Sequence, residues 1–277
     1  MNAARFGSIL LLFALAAPAV AAKDDGASSV RIVYGLRIGF LPLGKMDLTQ
    51  QMHARDYKAD SHLETAGLVN LFWKSKIDAH SKGAMERDRL APASYDSHSV
   101  NRNDKIQQVS LTYGRNTMPM LFANPPYKTN KYPVSDEQKK NTLDPVSALV
   151  LMTTGLSANA KNPCGTVAPV FDGARRYDVV LDYQKTANIT LSNGLYSGPI
   201  YLCQIHYKQI AGFKQKILEE GKALPDIFAW IAALPARSDP RGHYLVPVRL
   251  WTSTGFGTVE ALASRVNLNG NVWKEKS

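Results

Sequence analysis

The sequence is poor in cysteine, with two among 277 residues. Two thiols are too few for a disulfide-dense secreted scaffold or for a zinc site built from four cysteines. After the first 22 residues there is also no apolar run close to the ~20 residues that a membrane-spanning helix needs. Hydrophobic residues make up 45% of the chain and charged residues 20%. This composition excludes a disordered chain and allows a substantial core.

The N-terminus carries the pattern of a secretory signal peptide. Arg5 provides a positive charge, residues 9–16 form a short apolar run, and small residues at 19–22 precede a polar stretch. We expect cleavage near Ala21 or Ala22 and a periplasmic location. The apolar run is too short to span a bilayer well, although an uncleaved anchor is the alternative. No transmembrane segment is expected once the signal is removed.

The chain is basic, with 33 Lys and Arg against 23 Asp and Glu and a formal charge of +10. Such an excess favours anionic neighbours. The charges are nevertheless dispersed, and the densest group of lysines, in 128–140, is diluted by Asp136 and Glu137. No nucleic-acid-binding signature accompanies them, so we predict no nucleic-acid partner.

Cys164 and Cys203 fit an oxidising compartment. A pair of cysteines in an exported protein most simply forms one disulfide. The alternatives are a reactive thiol pair, for which no Cys-x-x-Cys spacing exists, and two free buried cysteines.

The fold class follows from period-two alternation of apolar and polar side chains, which is typical of half-buried antiparallel strands. It occurs at residues 46–55, 108–113, 176–183, 203–208 and 244–250. Turn-forming residues separate these stretches at short intervals. We predict a mainly β protein, an antiparallel barrel or curled, β-spiral-like sheet of roughly a dozen strands, with one or two short helices at an end.

The expected organisation is a single domain with flexible ends. Residues 1–22 are the signal peptide and 23–29 a flexible mature N-terminus. Residues 30–268 form one β domain, in which 114–142 is a long loop excursion with four prolines. Residues 269–277 are expected to be a C-terminal tail.

One helix is predicted over 145–154. Asp144 suits its N-cap, Pro145 its first position and Gly155 its exit. Its apolar stripe is expected to comprise Val146, Leu149, Val150 and Thr153. The segment 227–234 is ambiguous, because Pro225 and the alanines favour a helix whereas its Ile, Phe and Trp favour a strand.

Motifs that carry chemistry are weak in this chain. Residues 39–45 have the spacing of a phosphate-binding loop, but Met46 follows where a magnesium-binding Ser or Thr is needed, so we interpret them as a hairpin. Six histidines lack metal-binding spacing and no Gly-x-Ser-x-Gly is present. Asp178 and Asp182 share a strand face, as glycosidase carboxylates do, but a polar outer face explains them more simply. We predict no catalytic residue, metal or cofactor.

Several short motifs resemble those of a bacterial exported family known as the domain of unknown function 3108 family. They are Tyr34 to Gly39 with Pro42-Leu43-Gly44, Thr65 to Val69, Leu143 to Leu149, Trp230, Leu245 to Val248 and Gly257 to Leu262. The resemblance covers most of residues 30–266 and implies an exported β-rich domain in which 227–234 is a strand paired with 244–250. It also implies a fold similar to β-spiral envelope-integrity proteins and to open barrels of the periplasmic lipoprotein-carrier kind, which assigns no chemistry.

These observations favour a non-enzymatic envelope protein that binds an apolar or amphipathic ligand or a protein partner. The alternatives are a hydrolase acting on envelope glycan or lipid, and an assembly factor without a pocket. An apolar turn followed by two cations is predicted to cover the ligand and meet an anionic head group. The residues concerned are Leu68, Leu71, Phe72, Trp73, Lys74 and Lys76. Core packing is the competing interpretation of the same apolar side chains.

Overall fold

The computed structural model describes residues 27–67, 70, 74–86, 89–114, 118–128, 132–156, 158–159, 161–214, 225–235 and 243–276. Within them the chain forms fourteen strands and two helices. The strands are β1 Ser28–Ile38, β2 Leu41–Met52, β3 Asp56–Thr65, β4 Ser75–Met85, β5 Leu90–Asn101, β6 Ile106–Tyr113, β7 Pro119–Asn124, β8 Thr166–Phe171, β9 Arg176–Thr190, β10 Ser197–Ala211, β11 Ile227–Pro235, β12 His243–Thr254, β13 Gly257–Leu268 and β14 Asn271–Lys274. The helices are α1 Asp136–Lys139 and α2 Pro145–Thr154.

All fourteen strands belong to one antiparallel sheet. Its order is β7-β6-β5-β4-β3-β2-β1-β13-β12-β11-β10-β9-β8, with β14 added to β13. The pairing of β1 with β13 joins the two ends of the domain, whereas β7 and β8 remain as edges. The sheet is therefore curled and not closed, which confirms the predicted fold class. The segment 227–234, which its composition left ambiguous, lies in strand β11.

The free edge of β8 is covered by the segment that leads into α2. The Leu143 amide donates to the carbonyl oxygen of Pro169 at 2.7 Å, and the Phe171 amide donates to that of Leu143 at 2.9 Å. An uncovered edge would expose unpaired backbone groups. This short segment satisfies part of them at the seam of the curled sheet.

Two segments expected to lack regular structure contain some. The predicted loop excursion 114–142 includes β7 and α1, and the predicted tail 269–277 includes β14. Pro119 begins β7, a position at the end of an edge strand where its missing N–H costs no ladder bond. Both strands are short, at six and four residues, so their alternation is too brief to be recognised in the sequence.

Helix α2 has the predicted bounds and caps. The Asp144 carboxylate accepts hydrogen bonds from the amides of Val146 and Ser147, and Gly155 ends the helix in the left-handed conformation with φ 60°. The predicted one-sided stripe is wrong, because Leu149 is only half-buried while seven of the ten helical residues are buried. A helix buried on most sides lies inside the fold. Accordingly, α2 packs against β3, β4, β5, β8 and β12 within the curl.

The helix occupies one end of the curled sheet, here called the helix end. Thr153 donates to Gln50 Oε1 at 2.6 Å, and the hydroxyls of Ser147 and Tyr57 lie 2.6 Å apart. Gln50 and Tyr57 flank the β2–β3 turn. The opposite end, here called the open end, carries the two-residue turns 39–40 and 255–256. The stretch with phosphate-loop spacing is thus the hairpin of β1 and β2, as predicted. No helix among the described residues is long and apolar enough to cross a membrane.

Candidate functional site

The inner face of β1 changes from sealed to accessible along its length. Val30 and Ile32 are 0% exposed and Tyr34 is 5% exposed, whereas Leu36 and Ile38 are only half-buried. Their register partners on β13 follow the same order: Leu268, Val266 and Ala263 are buried, and Ala261 and Val259 are half-buried. The packed core therefore ends at Tyr34, and the inner face continues toward the open end without being fully covered.

Cross-strand register extends this accessible zone around the sheet. Residues directly opposite each other on paired strands point to the same face. One row joins Leu36, Ala261 and Leu250, and a second joins Ile38, Val259, Thr252 and Ile227. A third joins Met46, Leu63 and Ile77. We call the apolar residues of these rows the mouth: Leu36, Ile38, Met46, Leu63, Ile77, Ile227, Leu250, Val259 and Ala261, all half-buried.

The mouth also has a polar side. Ile77 pairs with Ser99 on β5, and Ser99 pairs with Gln107 on β6, so polar side chains continue the apolar row. On the apolar side, the Thr252 hydroxyl is buried without a hydrogen-bond partner in the described part of the chain. A surface with an apolar wall and a few polar groups suits an amphipathic ligand better than a purely apolar one.

The predicted ligand residues are only partly placed. Leu68, Leu71, Phe72 and Trp73 lie outside the described residues. Lys74 and Lys76 flank this segment near the open end, where Lys74 Nζ lies 3.1 Å from Asp104 Oδ1 and Lys76 Nζ 4.0 Å from Asp78 Oδ2. Because Ile77 points into the mouth, Lys76 points to the outer face. The side chain of Lys76 is thus directed away from the mouth.

The methionines and Trp230 have different surroundings. Met52 is buried in the core, whereas Met120 on β7 is largely exposed. Trp230 pairs with Arg249, Arg249 pairs with Leu262, and Leu262 pairs with Gly35 on β1. Trp230 therefore lies on the outer face of the sheet, with Gly35 and not with Leu36. Met46, by contrast, is placed in the mouth by its pairing with Leu63.

A second concave region lies along the seam beside β8. It is a cleft of about 450 Å³ whose lining includes Arg89, Leu90, Tyr113, Leu143 and Val167. The Tyr113 hydroxyl is buried without a hydrogen-bond partner among the described residues, and burial raises its pKa. Residues 141–143, which lead into α2, and Leu151 of α2 form one wall of this cleft. Residue 143 is followed directly by Asp144, which anchors a group of buried polar side chains.

Asp144 anchors these buried polar groups. Its Oδ1 accepts from the amides of Val146 and Ser147 at 3.0 and 2.8 Å, and its Oδ2 accepts from the hydroxyls of Ser81 and Ser147 at 2.9 and 2.5 Å. Burial raises the pKa of Asp144, and these donors act in the opposite direction by favouring the carboxylate. The cluster is satisfied within the protein, which is the pattern of a structural cap.

The cysteines form the predicted disulfide, with Cα atoms 6.0 Å apart. It joins the segment after α2 to β10. No group of three or more His, Cys, Asp or Glu within the described ranges is arranged to hold a metal ion. Asp178 and Asp182 are both ion-paired, to Arg176 at 2.6 Å and to His206 at 3.0 Å.

Residues 30–264 match the family described as "Protein of unknown function (DUF3108)". The chain belongs to this family. None of the curated proteins matches the chain. Among solved structures, a β-barrel-like protein of domain of unknown function DUF1849 from Brucella abortus has a similar fold. The TM-score is 0.51 at 10% identity, over 88% of this chain and 98% of that one. At this identity the similarity concerns the fold alone, and it agrees with a curled, barrel-like sheet.

The sequence did not identify the mouth. Alternation shows which side chains share a strand face, but it does not show how far the internal helix fills the curl. Leu36 and Val30 have the same type of position in the β1 pattern, which does not show that Val30 is fully buried while Leu36 is half-buried.

Proposed function

We propose that this protein of the DUF3108 family is an exported envelope protein that binds an apolar or amphipathic ligand in the mouth, without chemical turnover. The observation that carries the proposal is the change of burial along β1 and β13. Between Tyr34 and the helix end the inner side chains are buried. Between Tyr34 and the open end the inner aliphatic side chains of the curled sheet are only half-buried.

The physical reason is the free energy of covering that surface. Burying apolar area contributes about 25 cal/mol per Å², so a ligand with an acyl chain gains free energy by covering the half-buried aliphatic side chains of the mouth. The polar side of the mouth, with Ser99 and Gln107, supplies partners for a polar head. Lys74 and Lys76 lie near the open end, but each is close to an aspartate, Asp104 and Asp78, so the proposal does not depend on their charge.

Export is supported by the N-terminal pattern of residues 1–22, which lie outside the described residues, and by the disulfide, since such bonds persist in oxidising compartments. A binding function without turnover is supported by the chemistry of the described polar groups. The buried carboxylate of Asp144 is used as a helix cap. The carboxylates of Asp178 and Asp182 contact Arg176 and the imidazole of His206, respectively.

The proposal is tested by placing a charge in the mouth. Val259→Asp puts a carboxylate at a half-buried inner position, where it opposes entry of an acyl chain because burying a charge is unfavourable. Val272→Asp on β14 is the matched control, since Val272 is a strand valine that is 50% exposed. The probe is a dansylated fatty acid, and binding is followed by fluorescence.

We expect saturable binding to the wild type and the control, and a loss of at least about tenfold in affinity for Val259→Asp. Native mass spectrometry of protein taken from the envelope provides a second readout, the co-purifying lipid. Equal binding by all three proteins, or no saturable binding and no co-purifying lipid in the wild type, would overturn the proposal.

A further inference from the structure

Two phenylalanines project from the open end and are almost completely exposed in the part of the chain that the structure describes. Phe40 is fully exposed in the β1–β2 turn, and Phe256 is 93% exposed in the β12–β13 turn. The turns lie side by side, because the Gly39 amide donates to the carbonyl oxygen of Thr258 at 3.1 Å. The two aromatic rings thus belong to neighbouring hairpin tips.

Neither turn needs an aromatic residue for its backbone. Gly39 and Gly257 adopt the positive φ values of 54° and 118° that glycine accommodates. A polar residue at position 40 or 256 would serve the hairpins equally well and would expose less apolar surface to water. Folding therefore gives no reason for either phenylalanine.

Aromatic and basic side chains continue from the tips along the outer face. The Trp251 ring is stacked on Phe228 with centroids 5.7 Å apart, and its centroid is 5.2 Å from that of Trp230. The Arg249 guanidinium lies 4.7 Å from the Trp251 centroid and 4.8 Å from that of Trp230. We call these four residues the aromatic–arginine cluster. With a rise of about 3.3 Å per residue, Trp251 lies roughly 10 Å below the end of β12.

The ion pairs beside the cluster contain one more cation than anion, whereas the exposed Asp226, just before β11, accepts from Gln204. Glu260 is buried at the edge of the cluster and is ion-paired with both Arg37 and Arg249, the latter at 2.8 Å. Two cations thus share one carboxylate. Tryptophan and arginine beside projecting apolar residues are the side chains that protein surfaces use at the head-group level of membranes.

We propose that the open end docks on an anionic lipid surface. Phe40 and Phe256 insert among the acyl chains, and the aromatic–arginine cluster lies at the head groups. The inference deepens the proposed function, because this orientation places the mouth against the membrane from which an amphipathic ligand enters. A protein partner fits less well, since a specific interface buries about 800 Å² per partner, whereas two projecting tips suit a fluid phase.

The experiment measures sedimentation with vesicles. The protein is mixed with vesicles of phosphatidylethanolamine and phosphatidylglycerol, or of phosphatidylcholine alone, at low and high salt. The test variant is Phe40→Ser/Phe256→Ser. The control is Phe122→Ser, since Phe122 is 56% exposed on the edge strand β7, six strands from β1. Thermal unfolding of each protein is recorded alongside.

We expect the wild type and Phe122→Ser to bind the anionic vesicles, with weaker binding at high salt and on phosphatidylcholine. The double variant should keep the wild-type melting temperature and lose about tenfold or more of its vesicle affinity, because two aromatic side chains no longer insert. Equal binding by the double variant, or no vesicle binding by the wild type, overturns the inference. Capture of one envelope protein that depends on both phenylalanines, without vesicle binding, replaces the lipid surface by a protein partner.

Failure of the inference is distinguishable from failure of the proposed function. If the double variant still binds the dansylated fatty acid but not vesicles, the mouth and the docking tips are both supported. If vesicle binding depends on the two phenylalanines while no protein binds the fatty acid, docking stands and the ligand site does not.

Discussion

At the scale of single residues, Asp144 has the clearest structural role. Its carboxylate accepts two backbone amides at the start of α2 and two serine hydroxyls, all in a fully buried setting. Losing such a group removes the helix cap and leaves the serine hydroxyls without their acceptor. Buried donors that lose their acceptor are expensive, because water cannot replace it.

We predict that Asp144→Ala lowers the free energy of unfolding by about 2–4 kcal/mol, as the sum of a lost cap and unsatisfied hydroxyls. Asp144→Asn should cost less than half as much, since its amide oxygen still accepts from the Val146 and Ser147 amides. Urea unfolding measures both. If the two variants are equally destabilised, the negative charge and not the cap is the stabilising feature.

The same residue shows what local sequence information determines. Asp144, Pro145 and Gly155 set the bounds of α2 through short-range capping and backbone preferences, so the helix was predictable. The burial of its faces was not, because it depends on strands as distant as β3 and β12. Leu149 was assigned to the core from its spacing, yet the sheet encloses other sides of the helix more completely.

At the scale of elements, neighbouring strands are cross-linked on the outer face by histidine–carboxylate pairs. His62 Nδ1 on β3 lies 2.5 Å from Asp78 Oδ1 on β4. This hydrogen bond raises the pKa of His62 above its usual 6.5 and lowers that of Asp78 below 3.8. Because the pKa of His62 is higher in the folded than in the unfolded protein, the pair contributes stability that is fully present below pH 6.5. This stability is lost as the pH rises through the pKa that His62 has in the folded protein. Because the pKa of Asp78 is lower in the folded protein, its carboxylate contributes stability above about pH 4, and this stability is lost as the pH falls further.

We therefore predict that the His62–Asp78 pair stabilises the fold most between about pH 4 and pH 6.5, and that its contribution decreases as the pH rises through the raised pKa of His62. Both groups are partly exposed, so the difference should be below about 1 kcal/mol. NMR titration of His62 measures its pKa directly. In Asp78→Asn the value should return toward 6.5, and an unchanged value would show that Asp78 is not the cause.

The disulfide acts between elements as well, since it ties the exit of α2 to β10. The sequence separation is 39 residues. In the chain-entropy account, a loop of this length gives about 4 kcal/mol, which is lost when the bond is absent. We predict a loss of about 3–4 kcal/mol in Cys164→Ala/Cys203→Ala, measured by urea unfolding. Adding reductant should destabilise the wild type and leave this double variant unchanged.

The element scale also explains which parts of the fold were missed. Long alternating stretches such as β9 and β12 were recognised, because each repeats the two-residue period several times. Strands β7 and β14 are too short to repeat this period. They form by pairing with β6 and β13, which their own sequences do not reveal. The mouth combines positions from β1 to β4 and from β11 to β13, so its formation requires the register of the whole sheet.

At the scale of the whole molecule, the curl is completed where its two edge regions meet. Gly173 lies in the turn between β8 and β9, and a Cβ atom there would stand 2.7 Å from Val109 Cγ1 on β6 and 3.1 Å from Leu121 Cδ1 on β7. The first and last parts of the sheet path therefore approach each other at this glycine. Its φ of 96° is also unfavourable for any other residue.

We predict that Gly173→Ala destabilises the protein by about 2–4 kcal/mol, because backbone strain adds to overpacking at the seam. Gly255→Ala is the matched control, since nothing lies within 4 Å of its added Cβ, and it should change stability by less than about 0.5 kcal/mol. Urea unfolding compares the two.

A double variant tests whether the seam is in contact. In Gly173→Ala/Val109→Ala, the smaller side chain at position 109 should relieve the crowding, but the backbone strain at position 173 should remain. The double variant should then be less destabilised than the sum of its single variants. Simple additivity would show that β6 and the β8–β9 turn do not touch in solution, and that the curled sheet is open along its seam.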